Sequence, residues 1–523
     1  MTFGKRSEIL GLPSWHENVL AEQLGSVSTW NLITMAHRLM SILSMNRINV
    51  LRNGICQSAP VAILLVALLA DRAWSTEPTS PFRLATFEAD VTIPLGHPII
   101  AGARMPAKMI VNPLTARGFV LLGGDKPLII VSIEWCEIRN DAYDRWREIL
   151  ADAAGTDMQH VLVAATHVHD APVVDLTAQK LLEQHHAIGS VCDLEFHERC
   201  VQRTAAALRK GLKHAQNITH IGMGEAKVER VASNRRYERA NGTLSFQRTS
   251  MKSDPYAKVA AEGTIDPLLK TLSFWDDEQP VLALHTYAVH PMSYYGQGGV
   301  SDDFVGQARR RRQADDANVF QIYTSGCSGN ITTGKYNDGS SENRAVLAGR
   351  VYDGMTAAWK NTKRIPLSQA TFRCVPLQLE PRSDPGFSTT ELLRTIKTGN
   401  RSADSEHKTV LAQGLAAMGL SWRQRVDAGK KIDLPAIDFG EAVLMLLPAE
   451  SYVEYQLFAQ RTCSEKFVVV MGYGECGPGY IPTDQAVEER DSNLDLWRWV
   501  EPPCERIMQQ AIFSALQPDK EQR

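Results

Sequence analysis

The chain has no Cys-x-x-Cys pair among its nine cysteines, which removes thiolate zinc sites of the finger type. It has no basic block either. Its 56 Lys and Arg against 59 Asp and Glu leave a net charge of −3. Sequence-independent phosphate binding needs clustered cations, so no nucleic acid partner is expected. The densest cationic run, Arg309 to Arg312 in "FVGQARRRRQADDA", reads as the solvated end of a helix. No apolar run is long enough to cross a bilayer: Ala59 to Ala70 is uncharged and apolar, but it spans roughly a dozen residues where about 20 are needed. Internal repeats and low-complexity tracts are not visible. What remains, 44% hydrophobic and 22% charged over 523 residues, is ordinary globular composition. A chain of this length buries a core without help from disulfides.

The short apolar run fits the centre of a secretory signal. Arg47 and Arg52 precede it, and Ala73-Trp74-Ser75 follows in a small-x-small arrangement. A signal over 45-75, starting at Met45, is therefore expected, with a secreted, periplasmic or cell-surface location. Residues 1-44 show neither strand alternation nor an apolar core pattern; they read as a mis-called start, with a genuine extension or an uncleaved anchor as the alternatives. Loss of Cys56 with the signal leaves eight cysteines, whose pairing the sequence leaves open. A polar, proline-containing linker covers 76-84, and one folded domain covers 85-523.

Inside that domain, "GFVLLGGDKPLIIVSIEWC" (Gly118 to Cys136) reads as two strands around a tight turn. "NDAYDRWREILADAAG" has helical spacing, with Trp146, Ile149 and Leu150 on one face, Asn140 as N-cap and Gly155 as stop. The apolar run "VLVAATHVHDAP" follows (Val161 to Pro172). Strand, helix, strand implies an α/β fold, with mixed β-sheets flanked by helices. The stretch from about Asp384 to Asp433 is polar and reads as a surface excursion or lid.

Five apolar strands end in a polar group: His167, His290, Thr332, Glu450 and Tyr480. In α/β sheets, sites gather beyond the carboxyl ends of strands. Two imidazoles and a carboxylate make a common catalytic zinc set, and a tyrosine oxygen makes a rarer fourth ligand. His169 shares a face with His167 if the strand runs on through Val168. Taken singly, Glu450 also reads as a helix N-terminal acid, Tyr480 as packing and Thr332 as a turn hydroxyl.

Together with "YAVHPMS", "SGCSGNITTGKYNDG", "LLPAESYVEY" and "GPGYIPT", these stretches resemble, in order from about Phe87 to about Thr483, the N-terminal catalytic domain of the neutral, non-lysosomal ceramidases. The resemblance implies a zinc-dependent amidohydrolase. It implies zinc ligands at His167, His290, Glu450 and Tyr480, and a working histidine at His169. The family's essential serine falls on Thr332, Asp170 replaces a serine, and a tyrosine expected a dozen residues past Tyr480 is missing from "EERDSN". The family's C-terminal immunoglobulin-like domain is expected to be absent. The substrate expected is a small molecule or lipid-like amide, with contact to a membrane surface. Cleavage of esters, lactones or sugar derivatives, and a non-catalytic binding role on the same fold, stand as alternatives. Oligomeric state stays open.

Overall fold

The computed structural model describes residues 81–251, 255–399 and 405–517. The expected start at Met45, the signal at 45-75 and most of the linker lie outside the described residues. The linker's last residues, Arg83 and Leu84, already belong to a strand, and Leu84 is fully buried.

One topological unit occurs three times. Sheet one sets β1 (Arg83–Asp90), β2 (Thr115–Leu122), β3 (Leu128–Ile133) and β4 (Val161–Ala165) side by side in that order, with the two-residue strand Gln216–Asn217 on the outer edge of β1. The first three are antiparallel and β4 is parallel to β3. Sheet two repeats the pattern with β5 (His220–Lys227), β6 (Leu268–Asp276), β7 (Gln279–Tyr287) and β8 (Phe320–Ser325). Here β9 (Lys363–Pro366) adds to the outer edge. Sheet three repeats it again with β10 (Thr371–Leu377), β11 (Ile432–Asp438), β12 (Ala442–Leu446) and β13 (Phe467–Met471). Each parallel pair needs a crossover, and a helix lies in each: Asn140–Ala154, Asp303–Asp315 and Val453–Thr462. The repeat is one of topology, carried by strand order and not by residue identity, which is why the sequence does not show it.

Strand alternation explains the layering. Ile130 and Leu162 of sheet one, Leu284 and Ile322 of sheet two, and Leu444 and Val469 of sheet three share one core between the sheets. Their neighbours Ile129, Val163, Val443 and Val468 face the helices on the outside, in a core with Trp146 and Leu150. Strands covered on both faces must be apolar throughout, as "LIIVSI" and "FVVVM" are.

The three parallel fourth strands are tied together at their carboxyl ends. Ala165 N–H donates to Tyr473 O at 3.0 Å, and Gly472 N–H to Ser325 O at 2.8 Å. Ser325 Oγ closes the ring by donating to Thr166 O at 2.8 Å.

Several sequence expectations change. Asn140 is not the N-cap; Arg139 holds that position, and the Asn140 side chain instead donates to Asp175 Oδ2 at 2.7 Å. Gly155 does end the helix, in a left-handed conformation at φ 68°. The arginine run is not a solvated helix end. Successive helical positions point in different directions, so Arg309 is buried against Glu134 at 3.0 Å and Arg312 is buried beside Asp315 and Asp316. Arg311 lies over the Tyr352 ring. The polar 384–433 stretch contains a helix, Glu406–Asp427, whose small apolar face and Trp422 are buried. Its Ser421 hydroxyl donates to Asp175 Oδ1 at 2.7 Å. None of the eight described cysteines is paired. No described helix is long and apolar enough to cross a membrane.

Two stability measurements check this packing. Arg309→Ala strands the buried Glu134 carboxylate and should cost about 3–5 kcal/mol, whereas Arg311→Ala should cost roughly 1 kcal/mol or less; equal losses in denaturant titrations would contradict the assignment. His197 and His285 are each lowered by burial to about 4. The unfolded chain therefore takes up protons first as pH falls. Stability should decline with falling pH from about 6.5 to about 4, and this part of the decline should shrink in His285→Gln.

Candidate metal centre

His167 stands two residues past β4, where the chain bends. Its φ of 63° is left-handed, so the strand does not run on through Val168 and alternation does not bring His167 and His169 together. The bend does: their rings lie 5.0 Å apart, edge to face. His290 stands three residues past β7, and Glu450 follows β12 through Ala449, itself left-handed at φ 51°. Tyr473, just past β13, is a third such residue at φ 57° and stacks on His167 at 4.2 Å. Each such conformation costs of the order of 1–3 kcal/mol, and such strain persists where the surroundings hold it.

The side chains converge. His167 Nε2 lies 2.9 Å from His290 Nε2 and 3.3 Å from His169 Nε2, and His169 Nε2 lies 3.0 Å from His290 Nε2. Glu450 Oε2 is 3.4 Å from His167 Nε2 and 3.8 Å from His290 Nε2. Two ligands at about 2.0–2.2 Å from one ion in tetrahedral geometry sit roughly 3.3–3.6 Å apart, so the spacing is that of a slightly contracted coordination shell.

Hydrogen bonding at the far side of two rings decides the chemistry. His167 Nδ1 is 2.9 Å from the Cys136 carbonyl and His290 Nδ1 is 3.1 Å from the Ser328 carbonyl. A carbonyl only accepts, so the His167 Nδ1 carries the proton; at His290 the carbonyl lies nearer to Nδ1 than the donor Arg235 Nη2 at 3.4 Å and favours the same tautomer, so each Nε2 presents a lone pair. The two lone pairs face each other, and such a contact is favourable only with a cation between them. Glu450 Oε2 is buried and without a hydrogen-bond partner among the described residues. Burial holds His290 and His169 well below the ordinary histidine pKa, helped by the nearby Arg235 charge. Neutral imidazole is the form that binds metal. The donor set therefore fits a metal ion.

A second group, Cys136, His167 and His169, also lies close together. It fits less well. Burial and Glu137 push the Cys136 thiol well above its usual range, and the His167 nitrogen nearest its sulfur, at 3.9 Å, is the one already donating to a carbonyl.

Tyr480 pairs with Glu450 across a short parallel ladder, and its hydroxyl accepts from Arg235 Nη1 at 2.8 Å. Burial raises the phenol's pKa, the Arg235 charge opposes this, and Glu450 adds to the rise. Arg235 is a buried guanidinium at the cavity wall that sequence reasoning missed. It sits in "SNRRYER" with no motif around it, beside Arg236, whose partner is the half-buried Glu489. The structure does not bring Thr332 to the cavity. It is fully buried in a two-residue ladder with Ser233, and its hydroxyl accepts from Gly334 N–H at 3.1 Å. The cavity, about 330 Å³, is lined by His167, His169, Arg235, Glu450 and Tyr480, with Ile100, Met292, Leu411, Leu496 and Trp497 as its apolar wall.

The chain has a neutral ceramidase-like fold. It superposes on a ceramidase complexed with C2 at a TM-score of 0.59 and 16% identity, over 84% of this chain and 75% of that one. The neutral ceramidase from Pseudomonas aeruginosa gives a TM-score of 0.60 and 17% identity, over 85% and 76% of the two chains. No family model matches the chain, and no curated protein matches it in sequence.

The centre predicts a metal-dependent melting temperature. Saturation about 1,000-fold above Kd should stabilise the protein by about 4 kcal/mol. Chelator should reverse the gain, and His290→Ala and Glu450→Gln should show little of it. An equal gain in both variants would place the metal elsewhere.

Proposed function

We propose that this chain is a zinc-dependent amidohydrolase that cleaves an N-acyl bond in an apolar, lipid-like substrate. The observation that carries the reading is the pair of Nε2 lone pairs facing each other 2.9 Å apart, beside a partnerless buried carboxylate oxygen, in a half-apolar cavity. The ceramidase-like fold supports the amide as the bond cleaved. Its location outside the cytoplasm, secreted or at a cell surface, rests on the sequence of 45-75 alone.

His167, His290 and Glu450 would hold the ion, with Tyr480 as a looser fourth group. Zinc, when bound, supplies Lewis acidity toward a carbonyl oxygen and toward water. The Cys136 and Ser328 carbonyls keep His167 and His290 in the tautomer that ligates. His169 differs: its Nδ1 is buried without a partner and its Nε2 faces the Nε2 atoms of His167 and His290, so no carbonyl fixes its tautomer and either ring nitrogen can carry the proton. That freedom suits a proton carrier, which takes a proton from water at Nε2 and hands it to the leaving amine. Its Nε2 is also close enough to ligate, and the two roles separate on metal content. Arg235, permanently charged and buried at the cavity wall, would supply a fixed donor to negative charge on the scissile oxygen. Thr332 Oγ1 supports the loop at Gly334 and does not take part in this scheme.

Metal-loaded protein should cleave N-acyl substrates faster than O-acyl substrates of the same chain length, after correction for their uncatalysed rates. His169→Ala should keep its metal while kcat falls by about 10²–10⁴-fold. Arg235→Met should lower kcat by about 10²-fold or more with metal retained. No amide cleavage by metal-loaded wild type would remove the reading; loss of metal in His169→Ala would make that residue a ligand.

A further inference from the structure

Large apolar side chains cluster on one exposed ribbon beside the cavity. Twelve such residues are more than a third exposed among the described residues, and five of them fall within residues 95–111: Leu95 (63%), Met105 (39%), Met109 (59%), Ile110 (43%) and Val111 (47%). Scattered singly, exposed apolar residues mean nothing; grouped, they mark a contact surface. The ribbon is not a loose loop. Gly96 N–H donates to Ala107 O at 2.7 Å and Ala107 N–H to His97 O at 3.0 Å, which sets Leu95 next to Lys108 and Met109. Lys108 N–H donates to Gly298 O at 2.7 Å and Val111 N–H to Val300 O at 2.9 Å. These backbone bonds hold the ribbon in place, yet its five large apolar side chains are exposed.

Charge narrows the partner. Between Asp90 and Asp125 there is no acidic residue, in a chain whose net charge is −3. The exposed cations of the ribbon are Arg104 and Lys108. The same ribbon supplies Ile100, Ala103 and Arg104 to the cavity wall, and Leu496, 56% exposed, belongs to that wall as well. Apolar side chains and cations together, at the mouth of a half-apolar cavity, match a surface of acyl chains beneath anionic headgroups. A second copy of the chain matches less well, since self-pairing of the ribbon would set like charges against each other.

We propose that residues 95–111 form a docking surface for an anionic phospholipid bilayer, which seats the cavity mouth at the lipid surface. The proposal rests on the amide-hydrolase reading only in taking the substrate to be lipid-like.

The test uses the full chain, metal-loaded, with phosphatidylcholine vesicles that contain either no phosphatidylglycerol or about a third of it. Co-sedimentation should be strong only with phosphatidylglycerol and should weaken with salt. The combined variant Met109→Ser, Ile110→Ser, Val111→Ser should lose at least about tenfold in vesicle affinity. Lys108→Glu, a single exposed change, should weaken binding to the anionic vesicles. Both variants should keep wild-type cleavage of a water-soluble, short-chain amide. The proposal is overturned if wild type does not bind, if the triple variant binds as wild type does, or if the patch instead drives a concentration-dependent dimer that the triple variant abolishes. Ribbon-dependent vesicle binding without amide cleavage by any form would uphold the surface and remove only the chemistry.

Discussion

The centre depends on three strand ends that cannot move independently. β4, β8 and β13 come from three different sheets, and the bonds Ala165 to Tyr473, Gly472 to Ser325 and Ser325 to Thr166 join their carboxyl ends in a ring. Backbone groups at a strand end lose their ladder partners, and burying them unpaired is costly. Each sheet here supplies the missing partner to the next. The loops that leave this ring inherit its rigidity, and His167, Ser328 and Tyr473 are on them. His290 and Glu450 leave the neighbouring strands β7 and β12, so the histidines and the carboxylate come one from each topological unit.

Rigidity explains why an unfavourable arrangement persists. Left to themselves, two neutral imidazoles would turn a proton of one toward the lone pair of the other. The Cys136 and Ser328 carbonyls prevent that by holding both Nδ1 protons. His167, Ala449 and Tyr473 add left-handed backbone conformations at the same point. Stability lost locally in this way would be recovered by an entering cation, which would couple metal affinity to the integrity of the three-sheet core. His169 stands apart because no carbonyl fixes its ring.

Much of this was legible in the sequence, in proportion to how local the signal was. Apolar runs ending in His167, His290, Glu450 and Tyr480 could be read because buried parallel strands are apolar on both faces. The hairpin at "GGDK" and the helix stop at Gly155 carry turn chemistry in a few residues. Contacts between distant segments could not be read. Arg235 reaches Tyr480 across 245 positions, Arg309 meets Glu134 across 175, and neither leaves a local pattern. The threefold repeat is a repeat of hydrogen-bonding order, and the insertion of the helix Glu406–Asp427 between β10 and β11 hides even its spacing. Thr332 misled because the frame "GNIT" fixes a position along the chain but not whether its hydroxyl faces a cavity or a backbone amide. The partial exposure of Leu95, Met105, Met109, Ile110 and Val111 was also hidden, since apolar letters in a sequence read as core.

The most direct test is X-ray absorption spectroscopy at the zinc edge on protein loaded with one equivalent of the metal. The predicted first shell contains imidazole nitrogens and carboxylate oxygen at about 2.0–2.2 Å and no sulfur. It should lose imidazole scattering in His290→Ala and stay unchanged in Cys136→Ala. A thiolate scatterer at about 2.3 Å, or a shell indifferent to His290, would contradict the account.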